Sequence, residues 1–195
     1  MDDLFIKTAF GTVYGKSAGQ RGDTLVLGIH GYSQRNGWQT WLPMIEPLAE
    51  AGYWVVSLDM LGWGKSVAER PLDNDDHVKV IVAVLDNLGL ETAVLLGKSW
   101  GGGIALEVAL QYPTRISKLI LTAPARLNID PLVELKQPVL MAWAEDDDVI
   151  PYKYAAYYVE KISTIQLETY ATGGHSAAQE NVADFAPKAI NFLKS

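Results

Sequence analysis

No cysteine occurs among the 195 residues. That excludes disulfides, Cys-based zinc sites and a thiol nucleophile, and leaves the redox compartment open. Positive charge is also scarce. Lys plus Arg number 16 against 23 Asp plus Glu, a formal net charge of -7, so the basic footprint that grips a phosphate backbone is missing and nucleic acid is not an expected partner. No run approaches transmembrane length, and the opening MDDLFIKTAF carries two acids where a signal peptide would carry positive charge. A soluble, cytoplasmic protein without a membrane span is expected. No metal and no cofactor is expected either.

What is present describes a packed globule. Hydrophobic residues make up 49% and charged residues 20%, with six Trp and nine Tyr, and a chain of this length fits one domain over 1–195. LFIKTAFGTVYGKSAG alternates around Gly11 as a short hairpin. TLVLGIH and YWVVSLDM are continuous apolar runs of strand length, separated by a helix-spaced set at Trp41, Met44, Ile45 and Leu48 that stops at Gly52. The alternation continues: a helix from about Asp73 to Leu88, the strand TAVLLG, a helix opening in glycines and closing before Pro113, and the strand ISKLILTA. PVLMAWA, PYKYAAYYVEKI, TIQLETYA and ADFAPKAINFL complete the series as strand, helix, strand and helix. Strands apolar on both faces and alternating with helices predict a three-layer α/β/α sandwich around a mostly parallel sheet.

Within that frame GKSWGG sets Ser99 between Gly97 and Gly101 in a G-x-S-x-G pattern, directly after a strand and before a helix. On such a turn a serine hydroxyl is lifted clear of the sheet, beside the positive end of a helix. By itself the pattern also fits a bystander serine in a Gly-rich loop. A nucleophilic serine needs a base and a carboxylate to orient it. Of the three histidines, His77 lies on the first turn of a helix that looks solvated and reads as a surface residue. His30 ends a strand and is placed to hold the following loop. His175, in the glycine-rich loop ATGGHSAAQE, stands at a strand end where ligands collect in α/β sheets. Asp146, Asp147 and Asp148 in MAWAEDDDVIP lie at the end of the preceding strand, and at most one is needed for catalysis. The others read as a solvated loop or a cap for the helix after Pro151.

These ordered motifs resemble the α/β-hydrolase family over nearly the whole length, from LGIHGYSQRNGWQTWLPMIEPLAEAGYWVVSLDMLGWGKS through LLGKSWGGGIALEVALQYPTRISKLILTAPA to MAWAEDDDVIP and GGH. The resemblance implies eight strands with the second antiparallel. It also implies an oxyanion hole from the amides of Tyr32 and Trp100, and a D-x-x-G-x-G-x-S segment in DMLGWGKS that walls the cleft. The acid is implied to stand four residues before a proline, which selects Asp147 by its distance from Pro151, with Asp148 as the fallback. The chain departs from many relatives in having only PARLNIDPLVELKQ where they insert a lid. No lid domain and an open cleft follow, similar to the small lidless hydrolases of the interacting-factor-B type. Lys98 is the other departure. It reads as a surface charge or a charge just behind the site, against a role in choosing an acidic substrate.

The reaction implied is ester hydrolysis through an acyl-enzyme on a Ser99, Asp147 and His175 triad, acting on a small-molecule ester or acyl substrate. Thioesterase, amidase or deacylase chemistry on the same triad, or a non-catalytic ligand-binding role, are the alternatives. Relatives that use Asp as nucleophile, the dehalogenases and epoxide hydrolases, are set aside by Ser99. Tyr32, Trp38, Trp63 and Trp100 fall on the predicted cleft loops and suggest an apolar acyl or aromatic substrate, with Trp38 and Trp63 as binding residues. Packing is the competing role for all four.

Overall fold

The computed structural model describes residues 1–126 and 128–195. The chain opens with β1 (Asp2–Thr8) and β2 (Gly11–Ala18), an antiparallel hairpin at the sheet edge. β3 (Leu25–Ile29) follows, then a 3-10 turn over Trp38–Trp41 that runs into α1 (Leu42–Glu50), then β4 (Trp54–Asp59) and the two-residue β5 (Val67–Ala68). After α2 (Asn74–Leu88) come β6 (Ala93–Lys98), α3 (Trp100–Gln111), β7 (Ile116–Thr122) and β8 (Val139–Ala144). The chain then continues through α4 (Ala155–Lys161), β9 (Ile165–Tyr170), α5 (Ala177–Glu180) and α6 (Val182–Lys194).

The strands lie in the order β1-β2-β4-β3-β6-β7-β8-β9, with β5 paired to β2 off this path. β2 runs antiparallel to β4, and every pairing from β4 to β9 is parallel. The expected eight strands with an antiparallel second are therefore present, and β5 is an addition too short to announce itself. β3 alternates Leu25, Leu27 and Ile29 into one core and Val26 into the other. The first core is closed by α2, α3 and α4, the second by α1, α5 and α6, so both faces of the sheet are covered. Strands buried on both sides are apolar at nearly every position, with Ser57 and Asp59 in β4 and Thr122 in β7 as buried exceptions, which is why they read as near-continuous runs.

α2 corrects the reading of His77. Its N-terminus is closed by reciprocal bonds between Asp73 and Asp76, and its C-terminus by Gly89 at φ 74. The acidic first turn, which made the helix look solvated, is thus a capping box. One turn on, His77 is 4% exposed and lies on the same buried face as Val78, Ile81, Val84 and Leu85.

The link from β7 to β8 is short, as expected. In its described part a 3-10 turn at Asp130–Glu134 buries Leu132, and the Tyr158 hydroxyl of α4 donates to the Pro124 carbonyl at 2.7 Å. Residue 127 of that link lies outside the described residues. Among the described residues no helix is long and apolar enough to cross a membrane.

Candidate active site

Strand order changes direction at β3, which has β4 on one side and β6 on the other. Loops leaving the carboxyl ends of two such neighbours diverge and open a crevice. The loop after β3 carries His30, Gly31 and Tyr32, and β6 delivers Ser99.

Ser99 adopts φ 53 and ψ -121, one of two positive-φ non-glycine residues among the described residues. Its N–H donates to the Thr122 carbonyl of β7 at 2.9 Å, and its carbonyl accepts from Gly103 at 3.1 Å and Ala125 at 2.8 Å. Such a turn requires α3 to approach the sheet closely. A Cβ on Gly101 would stand 2.3 Å from the His30 carbonyl oxygen, and one on Gly97 would stand 2.7 Å from the Gly102 Cα. The glycines around the serine are therefore the clearance between helix and strands. Trp100 is the first residue of α3, where backbone N–H groups have no intrahelical acceptor.

His175 lies in a 3-10 turn over Gly174–Ser176, in the loop after β9. Its Nδ1 is 2.9 Å from Oδ2 of Asp147, whose side chain is fully buried. Oδ1 of Asp147 accepts from the amides of Val149 and Ile150, both at 2.9 Å. With both carboxylate oxygens accepting, the His175 proton sits on Nδ1 and leaves Nε2 with a free lone pair. That Nε2 is buried and has no hydrogen-bond partner among the described residues. Asp148, the fallback acid, is exposed. Asp146 has a part that the sequence did not suggest: its Oδ1 accepts from the Gly174 amide at 2.7 Å and ties the histidine turn to the loop after β8.

His30 is fully buried and has the expected holding role. Nε2 accepts from the Met60 amide at 3.0 Å, so Nδ1 carries the proton and donates to the Gly31 carbonyl at 2.7 Å. Burial pushes this imidazole below its ordinary pKa and keeps it neutral. Asp59, which opens the DMLGWGKS segment, clasps two loops. Its carboxylate accepts from the amides of Trp38 at 2.7 Å and Lys65 at 2.8 Å.

Three of the four aromatic residues expected at the cleft come together. Trp63 and Trp100 stack with centroids 5.0 Å apart, and Tyr32 meets both edge-on at 5.6 and 5.9 Å. Trp63 Nε1 donates to the Tyr32 carbonyl at 3.0 Å, and Trp100 Nε1 to Asn74 Oδ1 at 2.9 Å. His77 packs edge-on against Trp100 at 5.0 Å. This group borders a cleft of about 340 Å³ that also includes Leu72 and Arg70. Trp38 does not join them. It packs on the second core, and the Lys16 ammonium lies 5.8 Å from its ring centroid. Lys98 is not a free surface charge: it is partly buried, and its Nζ donates to Ser176 Oγ at 2.6 Å.

Comparison with known proteins agrees with this architecture. The family described as alpha/beta hydrolase fold matches residues 24–135, from the start of β3 past the serine turn. A 2-hydroxy-6-oxononadienedioate/2-hydroxy-6-oxononatrienedioate hydrolase of Paraburkholderia phymatum is 39% identical over 112 residues, 56% of this chain and 38% of the relative. The chain thus spans well under half the length of the curated relative it matches. Among solved structures, a CIB-like hydrolase from Thermoplasma acidophilum aligns with a TM-score of 0.91 at 24% identity, over 99% of this chain and 97% of the other. An esterase from Exiguobacterium antarcticum aligns with a TM-score of 0.88 at 20% identity, over 100% of both chains. Sheet order, the serine turn and the matched segment agree, and the chain belongs to the alpha/beta hydrolase fold family.

Proposed function

We propose that the chain is a serine hydrolase, working as a single domain, that cleaves a small ester through an acyl-enzyme. His175 Nε2 takes the proton of Ser99 Oγ as the oxygen attacks the substrate carbonyl. Asp147 holds Nδ1–H and stabilises the imidazolium that forms. The amides of Tyr32 and Trp100 receive the developing oxyanion, where each preorganised donor contributes about 10² to 10³ in rate. His175 then protonates the leaving alcohol, and the same cycle run with water releases the acid. The observation that carries this reading is the buried Asp147–His175 pair with its unpartnered Nε2, whose turn is tied through Ser176 to Lys98, the residue before the strained Ser99.

The aromatic group of Tyr32, Trp63 and Trp100 supports an apolar or flat substrate portion in the adjoining cleft. The relative named as a hydrolase of a keto-dienedioate favours a second reading, hydrolysis of an activated carbon–carbon bond by the same residues. A panel of aryl esters of increasing acyl length, thioesters and one vinylogous diketo acid separates the two, with Ser99→Ala as the control. The ester reading predicts Ser99-dependent turnover fastest on a short or aromatic acyl ester. Turnover confined to the diketo acid contradicts it.

A further inference from the structure

Lys98 directly precedes Ser99, and Ser176 directly follows His175, so the 2.6 Å contact between their side chains joins the serine turn to the histidine turn. Among the described residues it is the only hydrogen bond between segments 97–103 and 171–181. Every other tie of these segments runs elsewhere. The serine turn is held by Thr122 and Ala125. The histidine turn is held by Asp146 and Asp147, and by Asn181 through the Thr172 carbonyl. Both segments stand on the same sheet and core, with Leu96, Ala144, Ala177 and Ala178 in one buried cluster, and the Lys98 ammonium adds the one direct hydrogen bond between them among the described residues.

We infer that Lys98 is a positioning residue whose hydrogen bond to Ser176 sets the spacing between Ser99 and His175. The inference rests on the serine-hydrolase reading above. Proton transfer from Ser99 to His175 demands a heavy-atom approach of about 2.6 to 3.2 Å, and a displacement of about 1 Å costs about 10²-fold in rate. In this structure His175 Nε2 has no hydrogen-bond partner among the described residues, and a bond of fixed length between the two neighbouring residues limits how far the serine and histidine turns can move apart before that approach is made.

The surroundings of Lys98 agree with a purpose beyond holding the fold. Burial disfavours the charged ammonium and pushes its pKa below the usual range, with the carboxylates of Asp147 and Glu180 acting in the other direction. A partly buried cation is an expensive way to fill space that an unbranched apolar side chain would also fill. Methionine at 98 is therefore expected to leave thermal stability unchanged or raised, whereas a lysine that served only as a structural tie would lower it on removal.

The test compares wild type, Lys98→Met, Ser176→Ala, the double variant and Ser176→Thr, using the best aryl ester, the rate of fluorophosphonate labelling, and Tm. Lys98→Met and Ser176→Ala are each expected to lower kcat and the labelling rate by about 10- to 10²-fold, with KM little changed and Tm not lowered. The double variant is expected to be no slower than the worse single one, because both remove the same bond. Ser176→Thr keeps the acceptor oxygen and is expected to keep the rate. Should Lys98→Met not fold, the alanine and threonine variants at 176 decide between them. Labelling at the wild-type rate in Lys98→Met or Ser176→Ala, additive losses in the double variant, or rate losses that follow a fall in Tm would overturn the inference. A wild type that does not label at all overturns the serine-hydrolase reading, and this inference with it.

Discussion

At the scale of single residues, the site combines one strained residue with several over-determined ones. Ser99 holds a backbone conformation that costs a residue with a side chain about 1 to 3 kcal/mol. Glycine tolerates it freely, so Ser99→Gly is expected to gain about 1 kcal/mol of stability in thermal or urea melts while hydrolysis disappears. A loss of stability would show that the turn is not strained. Asp147 is the reverse case, a fully buried carboxylate with three donors, His175 Nδ1 and the amides of Val149 and Ile150. Asp147→Asn keeps the shape but offers an amide where an acceptor is needed. It is expected to lower kcat by about 10⁴-fold, measured on the same ester with far-UV and near-UV spectra unchanged. A drop of less than tenfold would remove Asp147 from the triad.

At the scale of elements, the clearance between α3 and β3 determines whether the serine turn forms. Gly101→Ala would drive a methyl against the carbonyl oxygens of His30 and Ile29, at 2.3 and 2.5 Å. Overpacking of this kind costs about 1 to 3 kcal/mol, and because His30 begins the loop that carries Tyr32, activity is expected to fall further than stability does. Equal stability and full activity in Gly101→Ala would contradict the close packing. The same elements show what could be read in advance. Strands β3, β4, β6, β7 and β8 were legible because burial on both faces over most of their length forces near-continuous apolar runs. His77 was misread because local charge hides a helix face: Asp73 and Asp76 close the cap while the residue beside them turns inward. The reach of Lys98 to Ser176 and of Asp146 to Gly174 depends on which loops the sheet brings together, and no local pattern encodes that. The contact between Asp147 and His175 and the positive φ of Ser99 agree with an order and spacing that repeat a family arrangement, whereas Trp38 shared only its residue type with the cleft aromatics.

At the scale of the whole molecule, two buried imidazoles link stability to pH. Burial is the main cause that holds both His30 and His77 below the ordinary value of 6.5. As pH falls below about 6.5 the unfolded chain takes up these protons before the folded one does, so stability is full above that value and declines as pH drops towards the folded pKa values. Asp76, held at about 2 mainly by Arg70, adds a second decline that begins below about 3.8. Thermal melts are expected to be flat from pH 7 to 8 and to fall from pH 6.5 towards 5. His77→Phe, which keeps the packing against Trp63 and Trp100 and removes one titration, should flatten that fall, and an unchanged slope would place the linkage elsewhere. The central claim is that Ser99 is a nucleophile activated by His175. Intact-mass and peptide mass spectrometry after treatment with a fluorophosphonate tests it most directly. The account predicts a single adduct, on Ser99, absent in Ser99→Ala and strongly slowed in His175→Ala; no adduct on wild-type Ser99, or the same adduct rate without His175, would contradict it.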